Sequence, residues 1–91
     1  MSENIIVEAG PVYQAIETKY HGPTNSRGSR ISARSQAGRI FVHYDHALSI
    51  EANHHAACLA LATKLGWTGR WVGGARADGC GNVYTSTRIA K

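Results

Sequence analysis

Acid is what this sequence is short of. No Asp or Glu falls between Glu17 and Asp45, and the whole chain sets 6 acids against 10 Lys and Arg, for a formal charge of +4. That balance excludes an acidic mimic of nucleic acid and biases the chain towards anionic partners. Cysteine is scarce as well. Cys58 and Cys80 are too few for a disulfide framework, and in a reducing cytosol they are expected as two free thiols, with Cys80 among glycines the more exposed. Neither C-x-x-C nor H-E-x-x-H occurs, so no zinc site is specified by spacing. The longest apolar run, "AACLALA" at 56 to 62, is far short of the roughly 18 residues of a membrane span. "MSENIIVEAG" has neither a basic n-region nor an apolar h-region. A cytoplasmic chain with no membrane partner is expected. The glycine-rich "GGARADGCG" lacks the G-K-[ST] ending of a phosphate loop and no helical pattern follows it, so it reads as a turn.

What is present is the composition of a folded chain, 43% hydrophobic and 18% charged, without the high net charge that keeps segments disordered. Its 91 residues make a single domain, 1–91, with residues 1–10 either a mobile extension or an extra strand. Residues 12 to 20, "VYQAIETKY", alternate as a strand, with Val12, Gln14, Ile16, Thr18 and Tyr20 on one side and Tyr13, Ala15, Glu17 and Lys19 on the other. "HGPTNSRG" is rich in turn formers. "SRISARS" and "RIFVHYD" flank a short connection and predict a hairpin. In it Ile31, Ala33, Ile40, Val42 and Tyr44 face inward, and Arg30, Ser32, Arg34, Arg39, Phe41, His43 and Asp45 face the other way.

"SIEANHHAACLALATKLGW" predicts the helix: Ser49 is an N-cap, Glu51 complements the positive end of the dipole, Lys64 lies in the last turn, and Gly66 closes it. Ile50, Ala57, Cys58, Leu61 and Leu65 share one stripe, with His54 near its middle. The runs "GRWV" and "NVYTSTRIA" then predict a second hairpin or two edge strands. The order β-β-β-α-β-β argues for an α+β fold, an antiparallel sheet of about four to five strands with one helix packed on one face.

Four constellations invite a functional reading. Lys19, His21, Arg27, Arg30, Arg34 and Arg39 converge on one side of the sheet, where Arg forks suit phosphate oxygens and Phe41 adds a stacking surface. The bland alternative is a sheet face charged for solubility. His43, Asp45, His46 and His54 are weak candidates for a metal, and a metal-dependent enzyme built on them is one reading; satisfied or solvent-facing histidines are the other. His54 lies one turn before Cys58, which pairs a base with a thiol, but both would lie against the sheet, and a core histidine bonded to backbone or to Asp45 accounts for the pattern more cheaply. Trp67 and Trp71, with Arg70 between them, are expected as lids on the core or as a protein-interaction anchor.

Taken together, "TKYHGPTNSRGSRISA", "YDHALS", "NHHAACLALATKLGW" and "WVGG" resemble a group of short uncharacterised proteins from bacteriophages and other bacterial mobile elements. The resemblance covers residues 13 to 75, with "GPTNSRGSRI" its distinctive core. It implies no activity and no site residues. It implies a neighbourhood of small proteins that bind a host macromolecule inside the bacterial cell, among them inhibitors of defence systems such as anti-CRISPR proteins.

Three functions follow as expectations. The first is a non-enzymatic, cofactor-free module that binds nucleic acid. The second is an inhibitor of a host nucleic-acid-binding defence complex. The third is the histidine-based enzyme.

Overall fold

The computed structural model describes residues 13–87. The expected N-terminal extension or extra strand, and the end of the last predicted strand, lie outside the described residues. Three strands come first: β1 Ile16–His21, β2 Arg30–Ser35 and β3 Gly38–His43. The helix α1 Ile50–Leu65 follows, and then β4 Arg70–Ala75 and β5 Gly81–Thr87. The sheet is antiparallel throughout, in the order β3-β2-β1-β5-β4. The fold is thus α+β in the predicted element order, and no described helix is long and apolar enough to cross a membrane.

Local chemistry sets the helix ends. Ser49 Oγ accepts from the Ala52 N–H at 3.0 Å, satisfying one of the orphan donors of the first turn. At the other end Gly66, at φ 74°, turns the chain left-handed, and the Trp67 N–H returns to the Ala62 carbonyl at 2.8 Å. Asn53, buried in the second turn, ties down the connection from β3. Its Oδ1 accepts from the Asp45 N–H at 2.8 Å, and its Nδ2 donates to the Asp45 and Ser49 carbonyls, each at 2.9 Å.

The helix lies over β1, β2 and β3, reaches the near side of β5 and does not reach β4. Alternation on the strands supplies what it covers: Ile16, Ile31, Ala33 and Tyr84, packed against Ala57, Cys58, Leu61 and Ala62, with Ile40, Val42, Tyr44 and Leu65 at the margin. The inward set expected for the hairpin is the observed one.

Four expectations need correction. β1 begins at Ile16 rather than residue 12, and Tyr13 leaves the strand pattern to stack on Trp67 and Trp71 at centroid distances of 5.1 and 6.0 Å. β3 ends at His43, so Tyr44 and Asp45 lie beyond it. Ile50 is not on the buried stripe. As the first helical residue it sits short of the sheet and is 64% exposed, and Asn53 and Ala62 take places on the covered face. Gly73 and Gly74 belong to β4 rather than to a turn. The Tyr84 ring lies against Gly73 where a side chain would stand, so a Cβ there would collide with it.

Candidate functional site

The face of the sheet turned away from α1 is built from the other half of the same alternation. Register makes it a lattice of three rows across β1, β2 and β3. Glu17 stands beside Arg34 and Arg39, Lys19 beside Ser32 and Phe41, and His21 beside Arg30 and His43. Neighbours in a row are about 5 Å apart and the rows about 7 Å apart. Five of the predicted basic residues and Phe41 therefore share one surface. Arg27 joins them from the β1–β2 loop, held by a turn in which the Thr24 N–H donates to the Arg27 carbonyl at 2.7 Å.

Two hollows open on this surface. One, of about 170 Å³, is lined by Lys19, His21, Ser32, Arg34, Arg39 and Arg76, with Glu17 at its side. The other, of about 350 Å³, lies between the loop and β3 and is lined by Arg27, Arg30, Phe41 and His43. Arg76 was not foreseen, because its sequence neighbours read only as a turn. The β4–β5 hairpin swings it beside β1, where its guanidinium donates to Asp78 at 2.7 Å.

Phe41 is 43% exposed, with the Arg30 and Arg39 guanidinium carbons 4.8 and 5.5 Å from its ring centroid and the His21 ring at 5.3 Å. These are cation–π distances. Glu17 neutralises Arg34 across 3.2 Å. Among the described residues Lys19, Arg27, Arg30 and Arg39 have no carboxylate within ion-pair distance. The Arg30 Nε is buried without a hydrogen-bond partner, a costly state for a donor.

The face carries its own electrostatic gauge. His21 Nε2 lies 2.9 Å from Ser32 Oγ. Its pKa is held below the usual 6.5 first by burial and then by the positive charges of Arg30, Lys19 and Arg39. Burial is the larger cause, and the three cations deepen the depression.

The weak metal candidates are dispersed. His43 is exposed on the open face, Asp45 Oδ1 accepts from the Ala47 N–H at 2.9 Å, and His46 packs on the Tyr44 ring. His54 is buried on the opposite side of the sheet, its Nδ1 2.7 Å from Thr18 Oγ1. Thr18, not backbone or Asp45, is its partner. Among the described residues no three His, Cys, Asp or Glu come close enough together to hold a metal ion. Cys58 is buried beside the helix–sheet contact, and burial pushes its thiol up to about 11. At neutral pH it is protonated and a poor nucleophile.

Trp67 and Trp71 lie away from the basic lattice, stacked on each other at 6.0 Å and packed against the core. With Leu59, Val72 and Tyr84 they line an apolar groove of about 660 Å³ between α1 and β4. Arg70 opens β4 next to Trp71. A further concavity, about 700 Å³ between the start of α1 and the β4–β5 turn, includes Lys19, Glu51 and His54. Glu51 there accepts from Asn82 at 3.1 Å and His54 is turned to Thr18, so its charged groups do not converge. No protein-family model, curated protein or solved structure matches this chain.

Proposed function

We propose that this protein is a non-enzymatic binding module that holds a polyanion, nucleic acid, on the open face of its sheet. The observation that carries the reading is the lattice itself: Lys19, Arg30 and Arg39, without carboxylate partners among the described residues, share one face with an exposed Phe41 that Arg30 and Arg39 flank, with Arg27 and Arg76 at its borders. Nucleic-acid phosphates match the Arg forks and bases match the ring. The resemblance to small proteins of bacteriophages and mobile elements is in keeping with a module that binds a host macromolecule.

Fluorescence anisotropy with short labelled DNA and RNA tests this. If about four phosphates are neutralised, binding should weaken between about 50 and 200 mM salt by roughly 50-fold for a single strand and roughly 150-fold for a duplex. The double substitution Arg30→Ala with Arg39→Ala should flatten the salt slope. Absence of binding at the lower salt concentration sinks the reading.

A second reading rests on a different observation, the apolar groove with Leu59 68% and Val72 50% exposed. Such a surface suits a protein partner, and an inhibitor of a host defence complex, of the anti-CRISPR kind, would use it. The discriminating result is a stoichiometric complex that survives nuclease and is lost on Leu59→Glu but kept on Arg39→Ala. The reverse pattern removes this reading.

A further inference from the structure

We infer that the ligand of the open face is single-stranded nucleic acid, with one unpaired base stacked against Phe41 and a backbone phosphate in the hollow on either side of it. The inference rests on the polyanion reading above and narrows it.

The first argument is shape. A duplex admits a helix or a two-stranded ribbon into its major groove, which is about 12 Å wide. The open face is part of a five-stranded sheet, too broad for the major groove, and a duplex would have to be kinked and partly unstacked, at a cost for each step opened, to offer a base face to Phe41. An unpaired strand has flat bases to spare and follows a surface.

The second argument is the arrangement around the ring. Arg39 precedes Phe41 by two residues on β3, whereas Arg30 stands opposite His43, two residues beyond it. The two guanidinium groups therefore come at the ring from opposite ends. They are not equivalent. Arg30 is half-buried and 4.8 Å from the centroid; Arg39 is exposed and 5.5 Å away. The Arg39 side is the one that yields. A base sliding against the ring displaces the Arg39 guanidinium, which already borders the smaller hollow with Lys19, His21, Arg34 and Arg76 and there meets the phosphate attached to that base.

The third argument is the pair of hollows. Phe41 borders the larger one with Arg27, Arg30 and His43, and Arg39 borders the smaller. A chain passing over Phe41 meets cations before and after it. Ser32, at the centre of the lattice, offers a hydroxyl to whichever oxygen enters, in place of its bond to His21. A face charged only for solubility would have no reason to gather its cations around one exposed aromatic ring.

The test uses the full chain and four probes of matched length: an oligothymidylate, its duplex, an abasic strand with the same phosphate spacing, and inorganic polyphosphate. The single strand should bind roughly tenfold more tightly than the abasic strand. It should also exceed the duplex, although the duplex carries twice the charge. Phe41→Leu keeps an apolar side chain but no π face. It should abolish the advantage of the single strand while leaving polyphosphate affinity in place, and Phe41→Trp should keep that advantage. A duplex or abasic strand that binds as tightly as the single strand overturns this inference and leaves the polyanion reading standing, as does a Phe41→Leu variant that still prefers the single strand. If none of the four probes binds, both fall.

Discussion

The two faces of β1, β2 and β3 are made from alternate residues of the same eighteen or so positions, yet each builds a histidine–hydroxyl pair of opposite character. On the covered face His54 lies 2.7 Å from Thr18; on the open face His21 lies 2.9 Å from Ser32. Both histidines sit below their usual pKa. For His54 the leading cause is burial, with His55 adding to the depression and Glu51 opposing it. For His21 burial is followed by Arg30, Lys19 and Arg39. Burial is relieved only by unfolding, whereas the field of three cations is relieved by an anion. The His54 shift is thus governed mainly by the fold, whereas the His21 shift answers both to the fold and, through its three cations, to a bound anion.

The largest expected effect breaks the comparison outright. Leu61 is fully buried against the covered face, so Leu61→Ala should destabilise the protein by about 2 to 5 kcal/mol in denaturant unfolding. Arg39→Ala on the open face should change stability by about 0.5 kcal/mol or less. Equal losses would mean that the cationic lattice holds the sheet together.

A smaller pair of substitutions sharpens it. Thr18→Val leaves the buried His54 Nδ1 without its partner, and also removes the acceptor for the Asn82 N–H at 3.2 Å. The expected loss is about 1 to 3 kcal/mol. Ser32→Ala removes the partner of a half-exposed His21 that water can reach, and should cost about 1 kcal/mol or less. If Ser32→Ala proves the costlier, the open face is more tightly built than its exposure indicates.

The difference between the faces also explains how much the sequence discloses. Period-two alternation around Ile31, Ala33, Ile40 and Val42 exposes both faces at once, because any residue not facing the helix must face outward. The helix ends are legible because Ser49 and Gly66 act on their immediate neighbours. Arg76 was not legible, since its place beside Lys19 and His21 depends on β5 pairing with β1 across more than sixty residues. Ile50 and His54 illustrate the same limit on the helix. Periodicity gives a stripe but not where the sheet begins beneath it, and no local pattern reveals Thr18 as the partner of a histidine 36 residues away. The apparent cluster of His43, Asp45, His46 and His54 dissolves because β3 turns His43 to the open face, α1 turns His54 to Thr18 on the covered face, and Asp45 and His46 lie in the connection between those elements.

The finest test is pH, where the two histidines should act in opposite directions on different observables. His54 and His21 bind protons less tightly in the folded chain than at their usual 6.5. The unfolded chain therefore takes up protons first as the solution is acidified. Stability is full above pH 6.5 and declines as pH falls through the window between 6.5 and the lowered folded values. His54→Gln, which keeps a hydrogen-bonding side chain but cannot titrate, should flatten that decline in unfolding measured across the window. Binding should run the other way. His21 is faced by Lys19 on its own strand, by Arg30 and Ser32 from β2, by Arg39, Phe41 and His43 from β3, and by Arg76 across the hollow. A polyanion that neutralises those cations raises the His21 pKa, so the complex takes up a proton and affinity rises as pH falls below 6.5. His21→Gln should remove that rise while leaving the acid decline in stability largely in place, because His54 still titrates. Affinity that falls with acid, or a stability decline untouched by His54→Gln, would show that the two faces do not divide their protons in this way.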